Sequence, residues 1–538
     1  MTTAHAPVLV VGGGLVGLST ALLLEYHGVP YVLVERRATA SPLPRSRGLH
    51  TRTGEIFRQL GLTEPIEQAA RSALKAGKFG GAWQGETLRT AEPLDLSGMA
   101  GALGANPDGP ARFVFLPQVQ LEPVLAAAAR ERGGDLRFGT ELTEFTADDS
   151  GVTATLRDES GQLSQLRADY LIAADGAGSP IRTALGITGW ELPPTNHYIN
   201  VFARTDLTGL LHGGSFSQCD ITGAVRGLVL SKNNTDEWSF HLEYDPAAET
   251  PADYPPRRCA DAIATMVGAD DLPIEVLGHS AWDTGTFVAD EYRRGRIFLV
   301  GDAAHRHAPW GGFGGNTGVA DAHNLVWKLA AVLDGEAGPG LLDSYAAERR
   351  PRAVVAVEQA RLGTDFLARY GILTPENSAG QEHRLDAGQV MTRFRYTSAA
   401  VLDTRGDDSP NPEGTPEHVG ALTGQSGTRL PHWWIDAAQT VSTLDLCGPE
   451  LTLLVSGPAE SWREAAARAQ RATGVELTVH ALPTADCAAH LGLSEGGAVL
   501  VRPDQHLAAG ADASLTPAWL TETLCLLLDL ERSPITSR

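Results

Sequence analysis

Cysteine is scarce in this chain. Cys219, Cys259, Cys447, Cys487 and Cys525 are spread through 538 residues, and no C-x-x-C pair occurs. That scatter supports neither a zinc site nor a disulfide framework, and a reducing cytoplasm is the expected compartment. No uninterrupted apolar run is long enough to span a bilayer. Positive charge is in deficit: 43 Lys and Arg stand against 65 Asp and Glu, a formal net charge of −22. Such a balance disfavours nucleic acid or an anionic membrane as a partner, and says little about a small ligand, which meets only the local field. Internal repeats and long low-complexity tracts are missing. No basic segment precedes the first apolar stretch, and glycines interrupt it, which sets it apart from a secretory leader. Hydrophobic content of 43% and charged content of 20% are globular values, and the length predicts two or three domains.

What is present begins at once. Val8 to Val11 is a short aliphatic run, followed by Gly12-Gly13-Gly14-Leu15-Val16-Gly17. Leu18 to Tyr26 reads as an apolar helix, Gly28-Val29-Pro30 breaks it, and Tyr31 to Val34 reads as a second strand ending at Glu35. Strand, G-x-G-x-x-G, helix, strand and acid together form a dinucleotide-binding fingerprint. Gly12 permits the tight turn, Gly14 allows the backbone to approach a pyrophosphate, and Gly17 lets the helix pack on the strand. The helix N-terminus, at Leu15 and Val16, offers unpaired N–H groups to phosphate. Glu35 is placed to hold ribose hydroxyls.

Further along, residues 82 to 112 read as strands and loops inserted into the nucleotide-binding part. A helix is predicted over 51 to 60, capped by Thr51 or Thr53 and stopped by Gly61. Gln118 precedes a helix over 121 to 132. Residues 163 to 173 form a buried strand leading to Asp175-Gly176, and 296 to 300 form another leading to Gly301-Asp302. A helix is expected from Thr317, and a long one over 341 to 367 that Pro351 kinks or divides. From 402 to 427 the composition is that of a linker. Strands over 442–446, 451–455, 475–481 and 498–506, with helices between and a closing helix over 517–530, suggest a small α/β tail domain. The resulting division is 1–185 and 291–400 for two parts of a nucleotide-binding domain, 186–290 for a sheet-rich substrate domain, and 410–538 for the tail.

The three motifs, Gly12 to Glu35, Asp175-Gly176, and Gly301-Asp302 with its following glycine loop, occur in an order that resembles the class A flavoprotein monooxygenases, the p-hydroxybenzoate hydroxylase and phenol hydroxylase superfamily. The resemblance implies an α/β fold: a Rossmann-like FAD-binding domain, a β-sheet-rich substrate domain and a thioredoxin-like C-terminal domain. Gly12, Gly14, Leu15, Val16 and Gly17 would then face the FAD pyrophosphate, with Glu35 on the adenosine ribose and Arg36 beside it. Arg45 and Gln118 would reach the phosphates and ribityl chain, Asp302 the ribitol hydroxyls, and Asp175 both FAD and the nicotinamide. Pro309, Gly314, Gly315 and Asn316 would lie against the isoalloxazine, with a helix N-terminus aimed at its N1–C2 edge. Each of the two aspartates also reads as an ordinary turn or helix cap. Trp310 stands where the family usually has a proline-like residue, so it reads either as substrate wall or as loop packing. The tail, entered at Leu430-Pro431-His432-Trp433-Trp434, lacks C-x-x-C and is therefore no dithiol module; a structural or assembly role is expected.

The activity implied is hydroxylation of a polycyclic aromatic polyketide through a flavin C4a-hydroperoxide, consuming O2 and NADPH or NADH, in antibiotic or secondary-metabolite biosynthesis. A cytoplasmic enzyme acting on a small molecule is expected, with a homodimer as one assembly and with no metal, nucleic acid or membrane partner. A general base for the substrate phenol has five candidates, His305, His307, Tyr198, Asp220 and His241. Arg306 and His307 rank first as catalytic residues because they lie near the flavin loop. Tyr198, His241 and Trp310 are the expected substrate contacts. Baeyer–Villiger or ring-opening oxygenation stays open on the same scaffold. A halogenase is disfavoured by the lack of a W-x-W-x-I-P motif, and a flavin redox sensor by the intact flavin motifs.

Overall fold

A computed structural model describes residues 4–39, 47–73, 81–96, 106, 108–402, 417–511 and 517–530. Its centre is a sheet in the order Arg293–Arg294, Ile297–Leu299, Leu163–Ala173, Ala4–Val11, Tyr31–Glu35, Asp135–Phe138, with Glu141–Asp148 and Gly151–Arg157 added as an antiparallel hairpin. Ala4–Val11 pairs in parallel with both Leu163–Ala173 and Tyr31–Glu35. The strand that precedes Gly12 therefore lies beside the one that precedes Asp175, and Leu163–Ala173 pairs in turn with Ile297–Leu299, which precedes Gly301. All three motifs end neighbouring parallel strands, at the edge where such sheets bind ligands. The helix Leu15–Tyr26 is apolar on nearly every side because it is buried between this sheet and the helix Phe313–Leu333.

A second sheet of seven strands runs Glu275–Asp283, His197–Arg204, Glu237–Glu243, Gly227–Ser231, Phe216–Ile221, Gly81–Gly85, Glu92–Pro93. Its last two strands come from the stretch expected to belong to the nucleotide-binding part. Gly81–Gly85 instead pairs in parallel with Phe216–Ile221, a match across more than a hundred residues that local periodicity does not signal.

The tail forms a four-stranded sheet, Leu477–Ala481, Leu451–Val455, Ala498–Val501, Leu507–Ala511, with parallel and antiparallel pairs and the helices Glu460–Thr473 and Pro517–Leu527 packed together on it. Its core is continuous with Trp327 and Leu341 of the nucleotide-binding domain.

Some local expectations are corrected. Residues 443–446 form a 3-10 turn rather than a strand, because Ser442 and Asp445 close a capping box on each other's backbone. The helix Thr51–Gln59 takes His50 as its cap residue and has no side-chain cap from either threonine. The helix Asp343–Leu362 runs through Pro351 and stops at Gly363, after which Phe366–Arg369 forms its own turn. Arg45 and most of the linker, 403–416, lie outside the described residues.

Candidate flavin and substrate site

The glycine loop is as tight as its sequence requires. Gly12 has φ +112°, and a Cβ on it would stand 2.2 Å from the carbonyl oxygen of Ala174. A Cβ on Gly17 would stand 1.8 Å from the carbonyl oxygen of Gly12, so strand, helix and the Asp175 loop close on one another only through glycines. Gly14 caps the helix without a side-chain bond, which leaves first-turn N–H groups for a ligand. Glu35 folds back on the loop: its carboxylate accepts from Gly13 N at 2.8 Å and from Arg37 N at 2.9 Å. Arg36 is exposed beside it. Leu15 N donates to Glu122 Oε1 at 3.1 Å, and Gln118 Nε2 donates to the same oxygen at 2.6 Å. Glu122, which sequence reasoning missed, thus ties Gln118 to the glycine loop. Val16 wedges between Gly301 and Gly318, whose added Cβ atoms would stand 2.9 and 2.5 Å from its Cγ2. That locks the first motif to the third.

Asp175 accepts from Ile181 N through one oxygen, while its other oxygen, Oδ1, is buried with no partner. Burial raises this carboxyl, opposed by the bonds from Ser179 and Ile181. Arg182 bonds the carbonyls of Ala177 and Ala303 and so clamps the second motif to the third. Asp302 is half-buried in the turn Gly301–Ala303. A glycine cradle beside an orphaned, buried carboxylate oxygen fits a dinucleotide cofactor.

The loop from Pro309 to Asn316 turns through Gly311 and Gly312 at φ +81° and +67° into Phe313–Leu333, whose first turn carries no side-chain cap. Pro309 is exposed at its start. The Asn316 side chain staples this loop to the 48–53 segment, accepting from His50 N and Thr53 and donating to the carbonyls of Gly48 and Gly312. Its amide is spent within the protein, so any contact to a cofactor falls to its backbone. Gly314 and Gly315 fall in the first turn of that helix: an added Cβ would make an ordinary contact with His307 Nδ1 at 3.6 Å and a tight one with Leu15 Cδ2 at 3.0 Å.

Across from this loop the seven-stranded sheet presents an aromatic wall. Tyr198 stacks on Trp282 at 4.7 Å and 21°, and Trp282 meets Trp310 edge-on at 6.3 Å. Trp310 is buried among Phe313, Phe366, Val390 and Met391, so it packs the loop while its ring edge meets Trp282. Trp282 Nε1 donates to His241 Nδ1 at 3.0 Å. Burial, with Arg47 nearby, holds this ring down at about 3. His241 is thus a poor general base, since its accepting nitrogen is already taken and Nε2 carries the hydrogen. Burial and the charge of Glu243 push Tyr198 up to about 12, so its hydroxyl stays protonated. Asp220 accepts from Gln84 and is raised by burial. Arg369 lies over Trp310, reaches Gln218 at 3.2 Å, and leaves a buried Nε without partner. Burial lowers it to about 10, which keeps it a cation.

Arg306 donates through Nε to the carbonyl of Gly285, in the connection after the strand Glu275–Asp283, and pairs through Nη2 with Asp283 at the end of that strand. His307 packs on His305, and its two ring nitrogens are buried without partners. Burial and His305 hold it well below the usual histidine range. Trp282, Arg369 and Glu122 had no spacing signal, since each acts through a contact made by the tertiary fold. Among the described residues no group of three or more His, Cys, Asp or Glu is placed to hold a metal ion, and no helix is long and apolar enough to cross a membrane.

An FAD-binding domain family matches residues 5–360, and the aromatic-ring hydroxylase C-terminal family matches 423–529. The chain belongs to the FAD-dependent aromatic-ring hydroxylases. It is 37% identical to the tetracenomycin B2 monooxygenase-dioxygenase of Streptomyces olivaceus over 532 residues, 96% of each chain. It is 35% identical to the 4-methyl-5-nitrocatechol 5-monooxygenase of a Burkholderia species over 551 residues, 97% of this chain and 98% of that one. The crystal structure of aklavinone-11 hydroxylase with FAD and aklavinone superposes with a TM-score of 0.86 at 33% identity, covering 98% of this chain and 100% of that one. This aromatic-ring hydroxylase is therefore a flavoprotein monooxygenase that takes FAD as its cofactor.

Proposed function

We propose that this hydroxylase oxygenates a polycyclic aromatic polyketide in antibiotic or secondary-metabolite biosynthesis. One observation carries the reading: the wall of Tyr198, Trp282 and Trp310 runs from the substrate sheet to the flavin loop itself, and a buried arginine lies on its Trp310 end. Planar fused rings stack on such a wall. Bound FAD supplies the two-electron chemistry that activates O2, with a reduced nicotinamide as electron source. The protein contributes the rest. The glycine loop and Glu35 hold the dinucleotide end, and Asp175, Asp302 and Gln118 line its path. The first turn of Phe313–Leu333 aims N–H groups at the ring edge.

Tyr198 is held protonated and the accepting nitrogen of His241 is occupied, so neither is the base that activates the phenol. Arg369 does that work as a cation beside it, favouring the phenolate and so raising the nucleophilicity of the ring carbon to be oxidised. Burial of the wall excludes water. Arg45 is proposed to join the phosphate contacts. The five free cysteines, four of them buried, suit a cytoplasmic setting. A homodimer is proposed for the assembly, to be read by sedimentation.

The test is oxidation of NADPH and of NADH by the yellow holoenzyme against a panel of polycyclic and single-ring phenols, with mass spectrometry of the products. A fused-ring product heavier by one oxygen, with its skeleton intact, supports hydroxylation. Turnover confined to single-ring phenols removes the polycyclic assignment. An expanded or opened ring moves the assignment to Baeyer–Villiger or ring-opening oxygenation on the same scaffold.

A further inference from the structure

A continuous file of buried polar side chains joins the flavin loop to the C-terminal domain. It begins at His307, beside Gly314, whose ring meets His305 edge-on with centroids 4.8 Å apart. His305 is fully buried, and its Nε2 lies 2.6 Å from Asp321 Oδ2. An ionised carboxylate only accepts, so His305 carries a hydrogen on Nε2; its Nδ1 is buried with no partner. Asp321 Oδ1 accepts from Arg349 Nε at 2.8 Å, and Arg349 Nη1 donates to the Tyr396 hydroxyl at 2.8 Å. The Tyr396 ring lies on His506 at 4.5 Å.

His506 belongs to the 502–506 turn, between two strands of the C-terminal sheet. Its Nδ1 donates to the Asp504 carbonyl at 2.9 Å. Asp504 pairs with Arg502, Arg502 with Glu348 at 2.6 Å, and Glu348 with Lys328 at 2.9 Å. Arg52 reaches the same turn, donating to the Asp504 carbonyl and to Gln505. Apolar side chains would bind two domains at least as firmly, so a file of buried charges fits the fixing of geometry better than the gaining of stability.

We propose that the C-terminal domain positions the flavin-loop histidines: its 502–506 turn, acting through Tyr396, Arg349 and Asp321, fixes the tautomer and ring orientation of His305 and so the seat of His307 beside Gly314. Tyr396, Asp504 and His506 are positioning residues in this scheme. It rests on the reading of 309–316 as the flavin loop.

The test uses the full-length protein with 15N-labelled histidine. The imidazole resonances of the FAD-free protein are compared for wild type, Asp321→Asn, Tyr396→Phe and Asp504→Asn, alongside melting temperature and the Kd for FAD. Asp321→Asn identifies the His305 signals. Tyr396→Phe keeps the ring on His506 and deletes only the hydroxyl on Arg349. The expected result is that it moves the same signals with the melting temperature within a few degrees of wild type, and weakens FAD at least threefold. A purely structural role would lower the melting temperature and leave the tautomer signature in place. If Tyr396→Phe or Asp504→Asn fails to fold, His506→Asn keeps a donor for the Asp504 carbonyl and removes the ring beneath Tyr396. Signals of His305 that stay at their wild-type positions in every folded C-terminal variant overturn the proposal. Signals that move while FAD affinity stays unchanged in all variants, Asp321→Asn included, uphold the positioning and remove the flavin-loop reading instead.

Discussion

The guanidinium carbon of Arg369 sits 3.8 Å from the ring centroid of Trp310, so the cation lies against the one aromatic side chain that belongs to both the flavin loop and the substrate wall. A planar guanidinium stacks and still directs its edges toward a ligand oxygen; an ammonium does not.

Arg369→Ala is expected to lower kcat by on the order of 10²-fold, the loss seen when one donor to developing charge is removed. Arg369→Lys restores little, because the stack is lost with the plane. Steady-state kinetics on the product-forming substrate, with FAD occupancy read from the visible spectrum, check both. A loss confined to KM would mean that Arg369 only binds substrate.

Glu35→Gln keeps one accepting oxygen and puts an amide nitrogen where the other stood. Either the part-buried Gly13 N or the exposed Arg37 N then loses its acceptor, and the carboxylate charge facing the ribose is gone. A Kd for FAD raised about tenfold or more is expected, measured by titrating FAD-free protein and following flavin fluorescence.

Gly301→Ala places a Cβ at φ +57° and 2.9 Å from Val16 Cγ2. Strain and overpacking together are expected to cost about 1–3 kcal/mol, and they fall on the contact that locks the first motif to the third. The variant should melt lower and leave purification with less flavin. Gly61→Ala, at φ +71° with open space around its Cβ, is the control: it should lose stability and keep its flavin.

Acid should destabilise this protein well before its carboxylates titrate. His241 is held at about 3, and His27 and His506 at about 4, all mainly by burial. Between those values and the ordinary 6.5, the unfolded chain binds protons that the folded chain does not. Stability therefore rises with pH through that window and falls as pH drops below 6.5, by up to about 1.4 kcal/mol per pH unit for each such ring. Glu348, held below its usual value by Arg502 and Lys328 against the pull of burial, adds loss in the same direction below 4.5. Denaturant melts from pH 7 to 4 should show the slope, and His241→Asn should flatten it.

The dinucleotide end of the site was legible because its demands are local. A turn at φ +112°, a helix start without a side chain, and an acid at the end of the next strand all fall within Gly12 to Glu35 and leave marks on residue type. The aromatic wall was only half legible. Tyr198 and His241 could be named, yet Trp282 joins them through strand register, lying opposite Tyr198 in the pairing of His197–Arg204 with Glu275–Asp283. His305 was a candidate with no stated partner, since Asp321 reaches it from a different element. Arg306 was named from its nearness in sequence to the flavin loop, which does not show where a long side chain turns; this one turns to Asp283. The buried charges around Asp504 were illegible, as nothing in a run such as Val501-Arg502-Pro503-Asp504 marks it as the inside of a domain contact.

The parallel pairing of Gly81–Gly85 with Phe216–Ile221 also bears on how this enzyme can be rebuilt. The recognition half is not a cassette. A chimera that exchanged 186–290 for the equivalent piece of a relative would bring in a sheet lacking its own border and set it against a border from the host. Transplants meant to alter the choice of substrate should carry 81–93 with them. The same interlacing sets an order during synthesis: the strand Ile297–Leu299, needed to finish the first sheet, leaves the ribosome only after the whole second sheet has emerged. The first sheet cannot be completed before the second has been made.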